Sequence, residues 1–397
     1  MSRRLKIAYV IDSAGAARAG GLVSAERIIE GLRTHNDVVS VGLNGDVKLP
    51  QLELPFVEDL VVANSFAFAR PDAQKLRDVI AKSDLVHVQL PFFLGFQALA
   101  LAHEADVPVV TAHHVQPENV LAQASLRWPR LVNAVSGPRM SRLMNRGMVV
   151  SFHNRADLVV CPSHLAEDEL HAAGLKTRSV VISNGAPERF RPAEVRARGK
   201  FTVLSVGRLV PEKRHDVIIE AVRRSKHAAE LRLVIAGKGP LLGRLEQLAK
   251  GHPAEVRLGF VSDDELLSLY QSADLYVHAS EVELEGMAAL EAMRCGCPAL
   301  LSDAKESATK QFAIDAEHLF PAGDADALAA RIDRAFEHPL ELEQQRARTL
   351  AFVRDYGIDS VIAQYEHAYD GVLARHRFRP QRFTRRVPRA RELAPSR

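Results

Sequence analysis

The strongest constraint in this sequence is an alternation met twice: a short apolar run, a loop, then a stretch with helical periodicity. In the first half, Lys6–Asp12, Leu85–Leu90, Pro108–Thr111, Leu158–Cys161 and Val180–Ile182 read as buried strands, and Leu22–Arg33 has helical spacing. After Gly199 the pattern restarts. Phe201–Val206, Leu231–Ala236, Val256–Gly259, Leu275–Ala279 and Pro298–Leu301 read as strands. His215–Arg224, Leu241–Lys250, Asp263–Gln271 and Gly286–Arg294 read as the helices between them. Such alternation gives a parallel sheet covered on both faces. Two series predict an α/β chain of two doubly wound, Rossmann-like domains. At 397 residues the chain also exceeds one ordinary core.

The expected boundaries are a first domain over 1–183 with an insertion at 117–150, a second domain over 184–355, a helix over 356–374 packing back on the first domain, and a tail over 375–397. That tail holds nine arginines against one acid (Glu392), so it carries +8 of a net +3 and leaves −5 on the rest. A basic, proline-interrupted tail is the kind of segment that stays disordered or meets anionic lipid, with about 1 kcal/mol per basic residue near the surface. Nucleic acid is the competing partner for such a charge run and is not expected here. The insertion mixes Leu, Met, Val and Trp128 with Arg127, Arg130, Arg139, Arg142 and Arg146. It reads either as an amphipathic segment in a membrane interface or as a packed insertion with its arginines in water.

Hydrophobic residues make up 47% and charged residues 25%, a globular composition with no apolar run of bilayer length. The opening MSRRLKIAYVIDS enters a strand without an apolar leader or cleavage site, so no signal peptide is expected. Cys161, Cys295 and Cys297 are too few for a disulfide framework and lack zinc spacing. The expected place is the cytoplasm, with peripheral attachment to the inner face of the cell membrane.

Chemistry concentrates in DLYVHASEVELEGMAALEAMRCGCPALLSD. Glu283 lies in the loop, Gly286 at the helix start, and Glu291 in the helix. A helix N-terminus offers unpaired N–H groups and a positive dipole end, which suits phosphate. Carboxylates beside it suit sugar hydroxyls. Ligands of doubly wound sheets sit at the carboxyl ends of strands. Gly207, Arg208, Gly237 and Val261 fall there, and Arg208 and Lys213 share one connection as cations for a diphosphate. Gly20 and Gly21 form a loop whose backbone can approach a polar ligand, without the spacing of a dinucleotide fingerprint.

Taken together, SVGRLVPEKRHDVIIEAV, LVIAGKGPLLGRLEQLA, LGFVSDDELLSLYQSADLYVHAS and the E-x7-E stretch resemble the retaining glycosyltransferases of family 4, which have the GT-B fold. The resemblance runs from about Ile7 to Tyr369 and includes ISNGAPERFRP as hinge. It implies a nucleotide-sugar donor, UDP-sugar first and GDP-sugar second, with Arg208 and Lys213 on the diphosphate. Glu283 would face the donor sugar hydroxyls or sit by the reacting centre, Glu291 would bind the ribose, the amides of Gly286, Met287 and Ala288 would meet the phosphates, and Val261 would lie beside the base. The family's first-domain histidine falls in TAHHVQPEN, where His114 is favoured. No metal or other cofactor is expected. Two departures stand out: Leu284-Glu285-Gly286 where the family often has Gly-Phe-Gly, and AKESATKQFA where it has a glycine-rich loop. The variant looks most like members that glycosylate membrane lipids or cell-surface precursors. A soluble or polysaccharide acceptor is the alternative. A sugar-nucleotide epimerase, a pyridoxal-dependent phosphorylase and a non-catalytic binding subunit are further ones. Oligomeric state is not legible.

Overall fold

The computed structural model describes residues 3–11, 20–53, 67–114, 145–196 and 199–378. The first domain runs β1 (Lys6–Ile11), α1 (Gly20–Arg33), β2 (Asp37–Gly42), β3 (Val47–Lys48), α2 (Ala73–Ile80), β4 (Leu85–Val88), α3 (Phe93–Glu104), β5 (Val109–Ala112), α4 (Val150–His153), β6 (Leu158–Cys161), α5 (His164–Ala173) and β7 (Ser179–Val181). The second runs β8 (Phe201–Val206), α6 (His215–Arg224), β9 (Leu231–Ala236), α7 (Leu242–Leu248), β10 (Glu255–Gly259), α8 (Asp263–Ser272), β11 (Leu275–His278), β12 (Val282–Glu283), α9 (Met287–Arg294), β13 (Ala299–Ser302), β14 (Glu306–Ser307), β15 (Leu319–Phe320), α10 (Ala325–Glu337), α11 (Pro339–Phe352) and α12 (Ile358–Arg377).

The strands form two parallel sheets, ordered β3-β2-β1-β4-β5-β6-β7 and β10-β9-β8-β11-β13-β15. Both are covered on two faces, and the strand residues show why. Ile7, Tyr9 and Ile11 of β1 enter one apolar cluster while Ala8 and Val10 enter another. In β8, Val203 and Leu204 divide in the same way. Every strand read from the sequence is present, shifted by at most two residues at an end. Strands β2, β3, β12, β14 and β15 were not expected. β2 is interrupted by Ser40 and half exposed at its start, so it lacks the unbroken apolar run that marks the others.

In each sheet the chain order reverses beside the first strand, between β1 and β4 and between β8 and β11. These switch points open a crevice at the carboxyl ends of the strands. A two-stranded parallel ladder, Val282↔Glu306 and Glu283↔Ser307, borders the second crevice.

Helix α12 returns to the first domain. Val361, Ile362, Tyr365, Tyr369 and Val372 form one helical stripe buried against Ile28 and Leu32 of α1. A Cβ at Gly31 would collide with Ile362, so the two helices lie in close contact. α12 runs through Arg377, so the first residues assigned to the tail belong to the helix. The tail from 379 onward and insertion residues 117–144 lie outside the described residues. Among the described residues, no helix is long and apolar enough to cross a membrane.

Candidate active site

The second sheet's switch point builds the site. β8 ends at Val206 and hands over to Gly207 and Arg208. β9 ends at Ala236 and hands over to Gly237. A Cβ on Gly237 would strike the carbonyl of Gly207, so these two loops abut backbone to backbone. The chain then makes a short turn, Pro211–Lys213, which brings Lys213 back over Gly207.

Lys213 Nζ pairs with Glu283 Oε1. His278 Nε2 lies 2.8 Å from the same oxygen, and Tyr276 OH is 3.2 Å from His278 Nδ1. The Lys213 and Glu283 side chains are each 15% exposed. Burial alone would raise the Glu283 carboxyl. The Lys213 ammonium and His278 overcome that and hold it well below the usual carboxylate range. Arg208 differs from Lys213. It is half exposed and sits 3.3 Å from Glu212. The two expected phosphate cations therefore stand in one connection, but only Lys213 is brought to Glu283.

Glu283 is held in β12, and α9 begins four residues later. Gly286 precedes α9 with φ +96°, a left-handed conformation that glycine adopts freely. A Cβ there would also collide with Thr309, from the segment that replaces the family's glycine-rich loop. Met287 and Ala288 occupy the first turn of α9 and are half buried. Glu291, one turn further on, accepts from Tyr270 OH at 3.3 Å and lies 3.6 Å from Arg27 of α1. Burial raises its pKa, with Arg27 and Tyr270 opposing the rise. The proposed ribose carboxylate thus meets a cation from the other domain. Val261 is buried in the second-domain core. The neighbouring Phe260 ring is exposed, with Lys238 Nζ 3.7 Å from its centroid.

The first domain contributes differently. Gly20 and Gly21 stand in the first turn of α1, not in a loop before it. His114 follows β5 and is half buried, whereas His113 is 3% exposed. Burial pushes His114 down to about 4 and His113 and His87 to about 3. His153, 2.9 Å from Thr111 Oγ1, is likewise driven well below its ordinary value by burial and by His113 and His114. This is a set of imidazoles kept neutral at physiological pH.

Sequence reasoning did not single out His278, Tyr270, Arg27 or Glu285. His278 carried one legible signal, an imidazole near the end of an otherwise buried strand. Among the described residues, no cluster of three or more His, Cys, Asp or Glu could hold a metal ion.

A family model described as glycosyl transferases group 1 matches residues 187–350, and one described as glycosyltransferase family 4 matches residues 20–189. The chain is 32% identical over 263 residues to a GDP-mannose-dependent alpha-(1-6)-phosphatidylinositol dimannoside mannosyltransferase of Mycobacterium tuberculosis, covering 59% of this chain and 68% of that protein. It is 26% identical over 238 residues to an alpha-monoglucosyldiacylglycerol synthase of Streptococcus pneumoniae, covering 55% and 51%. The chain spans about half the length of several relatives it matches. Among solved structures, Anabaena HepE in complex with UDP and glucose superposes with a TM-score of 0.68 at 17% identity, over 93% of this chain and all of that one. At that identity the likeness concerns the fold alone.

Proposed function

The chain belongs to glycosyltransferase family 4 and has the GT-B fold. On that premise we propose that it moves a hexose from a nucleotide-diphosphate sugar to a hydroxyl of a membrane lipid or lipid-linked acceptor, with retention at the anomeric carbon. The observation that carries this reading is the convergence at the β8–β11 switch point. Lys213 pairs with Glu283, which stands four residues before the amide end of α9; Arg208 shares the connection that carries Lys213, and Glu291 lies one turn into α9. The nucleotide lies on the second domain, with its ribose on Glu291. The diphosphate leaves with negative charge, which Lys213, Arg208 and the helix tip stabilise where it develops. Such groups act best when water is excluded, and closure of the first domain over the donor supplies that. The acceptor hydroxyl gives its proton to a leaving phosphate oxygen, and His114, uncharged, faces the sugar as a hydrogen-bonding group.

The lipid acceptor is supported by relatives whose names specify diacylglycerol and phosphatidylinositol products. Both UDP and GDP-mannose occur among the likenesses, so the donor base stays open between them. A panel of UDP-, GDP- and ADP-sugars read by thermal shift selects the donor. A ligand at a hundred times its Kd adds about 2.7 kcal/mol to apparent stability. Transfer to diacylglycerol or phosphatidylinositol in vesicles then tests the acceptor, and a donor-only incubation that yields an altered sugar nucleotide would indicate an epimerase instead. Deleting residues 379–397 should release the protein from anionic vesicles at physiological salt. Unchanged binding would remove the tail from the membrane reading.

A further inference from the structure

Glu285 is the one buried acid at this site that the proposed chemistry does not use. It is 3% exposed, between Glu283 and Gly286. Its carboxylate accepts from Ser183 Oγ, from the Asn184 backbone N–H at 3.1 and 3.2 Å to its two oxygens, and from Asn184 Nδ2 at 2.5 Å. Ser183 Oγ in turn accepts from the Gly185 N–H at 3.1 Å. Ser183 and Asn184 belong to the crossover between the domains. Next to Glu285, Leu284 packs on the first-domain cluster of Val149, Val150, Val159 and Cys161. Among the described residues no ion pair compensates Glu285.

A carboxyl buried without a cation is costly, and an apolar side chain would fill the space more cheaply. Family members often place phenylalanine here, as noted above. A buried polar network that is well satisfied fixes geometry more tightly than apolar packing does. This network joins two things that the donor needs in register, the crossover and the loop bearing Glu283 and the helix tip.

We propose that Glu285 is a positioning residue of the donor site, clamping the loop that carries Glu283 and Gly286 onto the interdomain crossover at Ser183 and Asn184. The inference rests on the donor-site reading given above. Without the clamp the loop shifts relative to the first domain, transfer slows, and water gains access to the activated sugar.

The test uses the full chain with UDP-glucose and GDP-mannose as donors, diacylglycerol in anionic vesicles as acceptor, and UDP and GDP as binding probes. Glu285→Gln should keep nucleoside diphosphate affinity within about twofold. Transfer should fall about ten- to a hundredfold, the range for small misplacements of a reacting site. The fraction of donor hydrolysed to free sugar should rise several-fold. Ser183→Ala should move the same fraction in the same direction by less, and it carries the test if Glu285→Gln does not fold. Wild-type transfer with an unchanged hydrolysed fraction in these variants would overturn the proposal. So would activity falling only in step with the folded fraction. If the wild-type chain binds neither UDP nor GDP and consumes neither donor, the donor-site reading fails first and this inference with it.

Discussion

The carboxyl edges of the two sheets share a topology and differ in chemistry. The second-domain edge is charged: Lys213 with Glu283, Arg208 with Glu212, Arg214 with Glu281. On the first-domain side the described histidines are neutral: His87, His113, His114 and His153 are all held uncharged by burial. The difference teaches how one doubled fold divides a transfer reaction. The edge that meets a diphosphate needs fixed charge. On the proposed function, the other edge meets an alcohol and an uncharged sugar, and there hydrogen-bonding groups that do not attract counter-ions suffice.

The contrast breaks most visibly at Lys213. Lys213→Ala should reduce transfer about 10²–10³-fold, the scale for one preorganised charge-stabilising group. Initial rates at saturating donor, normalised to folded protein, measure it. The thermal midpoint should fall as well, because Glu283 loses one partner of a largely buried pair. Arg208→Ala should cost less, about tenfold, since its guanidinium is half exposed and screened by solvent. Equal losses in the two variants would erase the distinction between a buried and an exposed cation.

The neutral edge makes its own prediction. His114 should show no titration between pH 5 and 8 by proton NMR, because burial keeps it uncharged down to about pH 4. An inflection near 6.5 would mean a solvated ring. The linkage sign follows. These histidines have folded pKa values below their ordinary 6.5, so their contribution to stability is full above 6.5 and is lost as pH falls toward 4 and 3. Protection factors of the β4 and β5 amides, taken relative to the intrinsic exchange rate at each pH, should fall accordingly under acid.

Glu285 has the opposite sign. Burial lifts it from an ordinary 4.5 to about 7, against the hydrogen bonds from Ser183 and Asn184. Its contribution is full below 4.5 and is lost as pH rises through 7. Tyr356 and Tyr365 are the titratable groups that feel its charge. The thermal midpoint of the wild type relative to Glu285→Gln should therefore drop as pH rises across that window.

Much of this was legible in sequence because strand and helix periods are local. β8, β9 and α6 were placed to the residue. The E-x7-E spacing put Glu283 ahead of α9 and Glu291 within it. What local pattern could not supply was partnership across the fold. Lys213 and Glu283 are 70 residues apart, and Glu285 and Ser183 are 102 apart. These pairs exist because β11 lies beside β8 and because the crossover runs under the β12–α9 loop. In the sequence Glu285 was only a departure from Gly-Phe-Gly. Arg27 gave no signal, since an arginine on a half-exposed helix face is ordinary.

The chain crosses between its halves twice, and the crossings touch. Ala186 N–H donates to Tyr356 at 2.9 Å, and Ile358 N–H donates to Ala186 at 3.2 Å. A single tether would let one lobe swivel in any direction. Two cables laced side by side behave like a door hung on two pins, swinging about one axis and resisting torsion. Cutting the chain after Tyr356 would remove one pin, and the lobes would then wander in relative orientation even with every side chain of the crevice intact.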